Sequence, residues 1–212
     1  MYVPAHFAEK DLAALDRLAA RDSFGTLVSM VEGAPFATHL PVLYRRDGDQ
    51  VRLTGHWARP NLQWREIESQ RVLFMFHGPH TYISPRWYTD PSRQVPTWNY
   101  MTAHVYGRVQ LIEDPAGLTQ IVSALADVYE SGAAAPWRFE PTESAARLRG
   151  IVGFELTADH IEIKHKLSQN QTAANAEGAI AGIKAESGER GAEVASAMQD
   201  ALDRKRRSPA AP

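Results

Sequence analysis

The sequence predicts an α+β fold: an antiparallel β-barrel with peripheral helices and a helical C-terminal extension. Runs of β-branched and aromatic residues with a period of two dominate the middle of the chain. Short turns separate several of these runs, which favours hairpins and therefore antiparallel pairing. Helix-type periodicity is confined to the N-terminal region, to connections and to the residues after 170. Because a closed sheet has no exposed edges, we expect the strands to form a barrel.

The first half of the chain contains one helix followed by a series of strands. An apolar stripe predicts the helix over 11–20. A Glu-Gly-Ala-Pro turn at 32–35 joins two strands as a hairpin. Pro60 suits the first position of a helix, which we expect to continue to residue 68. The predicted strands of this half cover 24–31, 36–44, 51–56, 71–76 and 82–84.

The second half begins with a long strand and ends in helices. Asp114 and Pro115 begin a predicted helix that ends at 129. The other predicted elements are strands over 97–112, 152–156 and 160–166 and a short helix over 143–148. The residues after 155 include no Phe, Trp or Tyr, and their apolar spacing indicates two amphipathic helices divided at Gly188 or Gly191. We expect one domain over 1–170 and a helical extension over 171–212.

The composition excludes several classes of protein. The chain of 212 residues has no cysteine, which rules out disulfides, thiolate metal sites and a cysteine nucleophile. Its 23 basic and 25 acidic residues give a net charge of −2, so there is no global attraction to nucleic acid or to an anionic membrane. The longest apolar run, 72–76, is far shorter than the ~20 residues of a membrane helix. Without a secretory signal pattern at the N-terminus, we expect a cytoplasmic protein with no membrane contact.

The first candidate site is the Gly-His-Trp-Ala-Arg-Pro-Asn segment at 55–61. A strand ends at His56 and a helix is predicted from Pro60, so the free N–H groups of its first turn favour an anion. Arg59 supplies the planar fork that fits a phosphate. The alternative is an ordinary loop that carries a surface arginine.

The second candidate site is the strand at 97–112, in which the two faces differ. One face is aromatic with polar tips, which is typical of interfaces and of surfaces around planar ligands. Alternation places Trp98, Tyr100, Thr102, His104 and Tyr106 on that face, and Asn99, Met101, Ala103 and Val105 on the other. A second copy of the chain would cover the aromatic face, which predicts an obligate homodimer. The alternative is that one of the chain's own helices covers it.

Two further segments are rich in hydrogen-bonding groups. Lys166, Ser168, Gln169 and Asn170 form a dense set of polar side chains after the last strand, although this segment alone also fits the N-cap region of the next helix. Pro41 directs the strand that holds Thr38–His39–Leu40 to an edge of the sheet. Unpaired main-chain groups at such an edge can hydrogen-bond the polar rim of a flat heterocycle.

The remaining polar motifs indicate little chemistry of their own. His77 and His80 have a metal-like spacing, but no cysteine or carboxylate lies near them, and we expect no metal. No Ser-His-Asp pattern, glycine-rich phosphate loop or acid pair is present, so no catalytic residue can be named. The basic residues at 204–207 are either a nucleic-acid contact or a solvated chain end.

Seven sequence blocks, in order along the chain, carry a family resemblance. They are MYVPAHF at 1–7, THLPV at 38–42, GHWARPNLQW at 55–64, GPHTYISPRWY at 78–88, VPTWNY at 95–100, HVYG at 104–107 and KLSQN at 166–170. With these blocks the chain resembles the PaiB-like family of FMN-binding negative transcriptional regulators, which are built on a flavin-binding split β-barrel. The resemblance covers about 170 residues and weakens beyond Gln171.

The resemblance implies FMN as cofactor, held at the subunit interface of a homodimer. The phosphate would lie at 59–61, the flavin ring along 38–40, and the 98–100 and 166–170 segments would complete the pocket. The cofactor-binding residues expected in this way are Thr38, His39, Leu40, His56, Ala58, Arg59, Asn61, Thr97, Trp98, Asn99, Tyr100, Lys166, Ser168, Gln169 and Asn170.

Three functions are compatible with this prediction. The family suggests a negative transcriptional regulator, although direct DNA contact has little support because no helix-turn-helix pattern is visible and the charge is slightly negative. A small FMN-dependent oxidoreductase with an NAD(P)H donor is the first alternative, since the flavin itself carries the redox chemistry. A haem-handling protein is the second, with His104 or His165 as a candidate ligand.

Overall fold

A computed structural model describes residues 1–140 and 146–207. Its strands form an eight-stranded antiparallel sheet in the order β3-β2-β6-β7-β8-β5-β4, and the short β1 pairs with β8. The strands are β1 (Ala8–Glu9), β2 (Phe24–Val31), β3 (Ala34–Pro41), β4 (Leu43–Asp47), β5 (Gln50–Ala58), β6 (Arg71–Ile83), β7 (Thr97–Ile112) and β8 (Ile151–Lys166). The α+β fold class predicted from the sequence is confirmed.

Four α-helices accompany the sheet in the described part of the chain. They are α1 (Ala13–Arg21), α2 (Pro115–Glu130), α3 (Ala173–Glu186) and α4 (Gly188–Arg207). Asp114 caps α2 by accepting a hydrogen bond from the Gly117 N–H, as the Asp-Pro pair predicts. The C-terminal division lies at Gly188, which has a φ of 56° and ends α3 in the left-handed conformation that glycine favours. Among the described residues, no helix has the length and apolarity needed to cross a membrane.

Three predicted strand boundaries were wrong. The run over 36–44 is two strands, because the chain leaves the sheet at Val42, where the main-chain N–H donates to Ser23 instead of a strand partner. The runs over 71–76 and 82–84 are the single strand β6. Pro79 is tolerated there because β2 pairs with β6 only over Leu73–Phe76, which leaves that side of the strand open around the proline.

The segments over 152–156 and 160–166 also form one strand, β8. Ala158 and Asp159 are weak strand formers, and they lie in the interval that the sequence prediction left between the two strands. Tertiary contacts override that preference, since the Gln50 side chain donates to the Ala158 carbonyl and Arg71 forms a bidentate pair with Asp159. The predicted helix over 143–148 lies partly outside the described residues, and its residues 146–148 are helical.

The chain divides into two compact units, each with its own buried core. Unit 1 comprises residues 1–14, 77–103 and 162–212, and unit 2 comprises residues 15–76 and 104–161. In unit 2, aromatic side chains are central to the core, with the rings of Trp57 and Phe154 4.4 Å apart. In unit 1, α3 and α4 pack against Ile83, Tyr88 and Leu167. The domain boundary predicted at residue 170 stays a prediction.

A pair of glycines lets α3 approach the rest of unit 1 closely. A Cβ at Gly178 would overlap the main-chain oxygen of Trp87, and a Cβ at Gly182 would overlap its indole ring. The Trp87 indole N–H donates to Glu186 at the end of the same helix, 3.1 Å away. The helix therefore holds the turn at 85–87, which precedes β7 along the chain.

Candidate functional site

The predicted site residues of unit 2, called the edge cluster, are Thr38, His39, Leu40, His56, Ala58, Arg59 and Asn61. The first three lie on β3, which is an edge strand as the proline predicted. The Asn61 side chain donates to the Thr38 hydroxyl at 3.0 Å. This bond brings the segment after β5 and the edge strand together, so these two parts of the prediction share one location.

The helix predicted over 60–68 is wrong. The chain forms two short 3₁₀ turns instead, Leu62–Arg65 and Ile67–Ser69. The main-chain N–H of Arg59 donates to Gly150, and that of Asn61 donates to Ala58. The Asn61 side chain accepts from the Gln63 N–H. Because these donors are used within the protein, the helix-terminus argument for an anion does not hold here, and any phosphate contact must come from side chains.

Gln63 explains why the helix does not form, and sequence reasoning missed it. It is fully buried, accepts a hydrogen bond from the Trp57 indole at 3.0 Å and donates to the carbonyls of Leu27 and Phe36. A buried amide with three satisfied bonds fixes the position of the segment that contains it. The available signal was a polar residue between two tryptophans after a strand, which does not identify its partners.

Arg59 is held by unit 2 itself. Its guanidinium donates to the carbonyls of Arg149 at 2.8 Å and Ile151 at 3.0 Å, and to the Glu113 carboxylate at 3.0 Å. The Trp64 indole also donates to the Arg59 carbonyl. Arg59 therefore anchors the end of β5 to the start of β8. Three of the five N–H groups of its guanidinium are used in these bonds, so two remain for a phosphate.

His56 carries an unsatisfied polar atom. Its Nδ1 is buried and has no hydrogen-bond partner among the described residues. Burial lowers the pKa of the imidazole below its usual value, so His56 is neutral at pH 7. It can therefore exchange a hydrogen bond with a ligand but adds no positive charge. His39 contacts the Thr26 hydroxyl at 3.0 Å, Leu40 is buried, and the Ala58 side chain is exposed.

The predicted site residues of unit 1, called the loop cluster, are Thr97, Trp98, Asn99, Tyr100, Lys166, Ser168, Gln169 and Asn170. The first four begin β7, where the predicted alternation is confirmed for Asn99, Ala103 and Val105, which are buried, and for Trp98, which is 53% exposed. Met101, predicted on the same face as Asn99, is only partly buried. Tyr100, Thr102, His104 and Tyr106 are each partly exposed, so the helices among the described residues do not fully bury this face. The rings of Tyr82 and His80 lie about 6 Å from Trp98 and extend its aromatic surface.

Lys166 connects the two halves of the loop cluster. Its ammonium donates to the Thr97 hydroxyl at 2.6 Å and to the Trp98 carbonyl at 2.5 Å. Burial, and secondarily the charge of Lys164, lowers the pKa of Lys166 below its usual value. An ammonium has three N–H donors, so one remains for a ligand.

The 167–171 loop is shaped by internal hydrogen bonds. Ser168 adopts a φ of 65°, and its hydroxyl accepts from the Asn99 side chain at 2.9 Å. Gln169 bridges the Leu167 N–H and the His165 carbonyl. The cap of α3 is Thr172, so the N-cap alternative does not account for the earlier polar residues. Asn170 is exposed.

Lys205 is a second residue that sequence reasoning missed. Its ammonium donates to the carbonyls of Gln169 and Gln171, each at 3.0 Å. The last turn of α4 therefore holds the loop. Lys205 lies in the basic run interpreted from the sequence as either a nucleic-acid contact or a solvated end, and Arg206 of the same run pairs with Glu177.

A cavity of about 180 Å³ lies in the loop cluster. Thr97, Asn99, Lys166, Ser168 and Asn170 contribute to its lining, so five predicted residues meet at one concave surface. The buried Asn99 Oδ1 has no hydrogen-bond partner among the described residues. The cavity is also lined by Phe7, Tyr88, Gln94, Val95 and Gln171, which the prediction did not include.

The histidines considered as metal or haem ligands have other surroundings. The described residues contain no cluster of His, Asp and Glu that would hold a metal ion. His165 is almost buried and lies 3.9 Å from the Glu9 carboxylate. His104 is partly exposed and lies 3.5 Å from the Tyr106 hydroxyl, as expected of a hydrogen-bonded residue on the aromatic face.

The ligand set fits FMN. A flavin needs a flat surface for its ring, donors and acceptors for its polar edge and cationic or hydroxyl donors for its phosphate. Trp98 offers an exposed aromatic surface, and Lys166 offers a cation with one remaining N–H donor. Asn99 and His56 each have a buried polar atom without a hydrogen-bond partner among the described residues. Two unsatisfied atoms among the predicted residues are what a site that awaits a polar ligand should contain.

Solved structures confirm the fold class. The flavocytochrome Anf3 of Azotobacter vinelandii superposes with a TM-score of 0.60 at 18% identity, over 77% of this chain and 72% of that one. The FAD and heme binding protein of Mycobacterium smegmatis gives a TM-score of 0.57 at 16% identity, over 75% and 73%. These superpositions define the class of fold as a split barrel with peripheral helices.

The sequence comparisons identify the family. The model of the family described as "Putative FMN-binding domain" matches residues 1–160, and the chain belongs to this family. The predicted cofactor, FMN, is thereby confirmed. The "Protease synthase and sporulation protein PAI 2" of Bacillus subtilis is 35% identical over 95% of this chain and 98% of its own length. An uncharacterised protein of Emericella nidulans is 26% identical over 87% of this chain and 90% of its own.

Proposed function

We propose that this chain is a homodimeric FMN-binding regulator in which the flavin lies at the subunit interface. The observation that carries the proposal is the aromatic face of β7, from Trp98 to Tyr106, which the described helices leave partly exposed. Such a surface, with polar tips on large rings, is enriched where a second subunit or a planar ligand packs. A second copy and a bound flavin would cover it together.

The two clusters would hold different parts of the cofactor. We propose that the edge cluster of one subunit and the loop cluster of its partner both contact the same FMN. The proposed contacts of the edge cluster are Thr38, His39, Leu40, His56, Ala58, Arg59 and Asn61. Those of the loop cluster lie within Thr97–Tyr100 and Lys166–Asn170. When bound, FMN would supply electron- or hydride-transfer chemistry, and the protein's part would be to bind and orient it.

The dimer and the cofactor are tested in one experiment. The purified protein is mixed with FMN and analysed by sedimentation with detection at the flavin absorbance. We expect flavin to sediment with a species of twice the monomer mass. Trp98→Ser is expected to weaken dimerisation, and Trp137→Ser is the matched control because Trp137 is equally exposed, at 54%, but lies outside β7. A monomer that binds FMN would contradict the proposed interface.

The regulatory role is proposed from the relative whose name refers to protease synthesis and sporulation. It does not rest on DNA contact, because Lys205 and Arg206 are engaged within the protein. A mobility-shift assay across a range of salt concentrations tests this point. A DNA complex that weakens steeply with salt would show direct binding, and its absence would place the protein elsewhere in the regulatory chain. The cytoplasmic location stays a prediction.

A flavin-dependent oxidoreductase is the second candidate. It is favoured by the loop-cluster cavity, which has a cation and a buried acceptor but no nucleophile or acid pair, as suits a site in which the cofactor is the reactive group. The test is NAD(P)H oxidation by the FMN-loaded protein. The haem alternative gains no support from its two candidate ligands, because His165 is almost buried beside Glu9 and His104 lies beside the Tyr106 hydroxyl. A visible spectrum after addition of haem would test it.

A further inference from the structure

We propose that the loop-cluster cavity binds the imide edge of the flavin's pyrimidine ring, with Asn99 and Lys166 as the residues that recognise it. The inference rests on the proposed function, in which this cluster contacts FMN. It adds which end of the cofactor enters the cavity and what chemistry selects it. The imide presents a carbonyl, an N–H and a second carbonyl along one edge of a flat ring.

The size of the cavity limits what can enter. Its volume of about 180 Å³ is below the roughly 300–1,000 Å³ of pockets that enclose a whole drug-sized ligand. The cavity is therefore suited to one end of a flavin rather than to the whole ring system. Phe7 and Val95 supply apolar walls. The polar part of the lining includes Asn99, Lys166 and Tyr88, together with Gln94, Thr97, Ser168, Asn170 and Gln171. The cavity therefore suits the polar end of a larger planar ligand.

Asn99 provides an acceptor that has no partner. Its side chain is fully buried, and its amide nitrogen donates to the Ser168 hydroxyl at 2.9 Å and contacts the Met198 sulfur at 3.1 Å. These contacts fix the orientation of the amide, because both neighbours accept from the nitrogen. The oxygen is left as a buried acceptor with no donor among the described residues. A ligand N–H satisfies it, whereas a phosphate or a carboxylate brings a second acceptor and is repelled.

Lys166 provides a donor that lines the same cavity. Two of its three N–H groups are used by Thr97 and Trp98, and both of these bonds hold the ammonium in place. The Tyr88 hydroxyl is buried, lines the same cavity and can donate. Donors from Lys166 and Tyr88 with the acceptor of Asn99 complement the two carbonyls and the N–H of an imide. A simple anion site would not include the buried acceptor.

The test compares FMN with FMN methylated at N3, using fluorescence quenching on the wild-type protein. Methylation removes the only imide donor, so we expect the affinity to fall about 5- to 150-fold, the range for one buried acceptor left unpaired. FMN substituted with chlorine at C8, at the other end of the ring system, is the matched ligand control and should bind within about threefold of FMN. Equal binding of FMN and its N3-methyl derivative would overturn the inference.

A variant assigns the effect to the residue. Asn99→Leu keeps the size of the side chain but removes the acceptor, so the ratio of affinities for FMN and N3-methyl-FMN should fall towards one. If Asn99→Leu folds and keeps the full wild-type ratio, Asn99 does not recognise the imide. If wild-type protein binds neither ligand, the proposed function fails instead, so the two failures are distinguishable. The wild-type comparison needs no substitution and stands even if the variant does not fold.

Discussion

Replacing Arg59 with alanine should destabilise the protein by about 2 kcal/mol. Arg59 makes two hydrogen bonds to main-chain carbonyls, of Arg149 and Ile151, and each is worth roughly 0.5–1.5 kcal/mol. Its pair with Glu113 is about half exposed and adds only roughly 0.2–1 kcal/mol. For a chain of this length, 1 kcal/mol shifts the melting temperature by about 2–4 °C, so we expect a fall of about 4–8 °C.

Chemical denaturation measures this effect directly. The denaturant midpoint should fall while the slope of the transition stays constant, which indicates a change in stability rather than in the surface exposed on unfolding. Glu113→Gln separates the contributions, because it removes the ion pair and keeps both carbonyl bonds. It should cost under about 1 kcal/mol. An Arg59→Ala protein with an unchanged midpoint would refute the anchoring role derived from the structure.

The same variant also tests the predicted phosphate contact. If the remaining N–H groups of Arg59 donate to the phosphate of FMN, Arg59→Ala should weaken FMN binding by roughly 10- to 150-fold. Riboflavin, which lacks the phosphate, should then bind the variant and the wild type alike. Equal losses for both ligands would assign Arg59 to the scaffold alone. The pair of ligands thus distinguishes a direct contact from a distorted site.

Three further outcomes are expected. Gly182→Ala should lower stability by about 1–3 kcal/mol in thermal unfolding, because the new Cβ overlaps the Trp87 indole. This loss is expected although alanine has a better helix propensity than glycine. Gly132→Ala is the control and should have little effect, since a Cβ there enters open space. Burial lowers the pKa of His56, so on acidification the unfolded chain takes up a proton near pH 6.5 before the folded chain does. The free energy of unfolding should therefore fall as the pH drops below about 6.5. His56→Gln should lose the part of this pH dependence that comes from His56. Lys205→Met should weaken FMN binding by about three- to tenfold, because the 169–171 loop loses its two hydrogen bonds to the Lys205 ammonium. Flavin fluorescence measures the affinity, and Arg204→Met is the control.

Elements defined by local pattern could be predicted from the sequence. The 16-residue strand β7 has the predicted bounds and the predicted alternation, because its period of two runs without interruption. The α2 helix follows from Asp114 and Pro115, since a cap acts over only a few residues. The helix from Pro60 failed for the opposite reason. The buried bonds of Gln63 to Trp57 and to the carbonyls of two other strands decide that segment, and they depend on pairings distant in sequence.

The candidate site shows the same division. Residue types could be chosen from the sequence, and five of the chosen residues meet at one cavity. The hydrogen-bond partners of these residues could not be chosen. The two carbonyls that accept from Arg59, for example, lie about 90 positions away in sequence and are placed by the pairing of β5 with β8. Lys205 was misread because a basic run at a helix end is usually solvated. Only the tertiary fold places it over two loop carbonyls.

Two predicted site residues, His56 and Asn99, each carry a buried atom without a partner in the described part of the chain, and these atoms link binding to stability. An unsatisfied buried polar group costs roughly 1–3 kcal/mol, so His56 Nδ1 and Asn99 Oδ1 together cost about 2–6 kcal/mol of a total stability of about 5–15 kcal/mol. A fold that served only stability would replace both residues with apolar ones of similar size. Because one such atom lies in each cluster, a ligand that contacts both clusters removes both costs, and one that contacts only a single cluster removes half. If FMN contacts both clusters as proposed, it should stabilise the protein more than a ligand that reaches only one of them, and thermal unfolding with each ligand at a saturating concentration measures the difference.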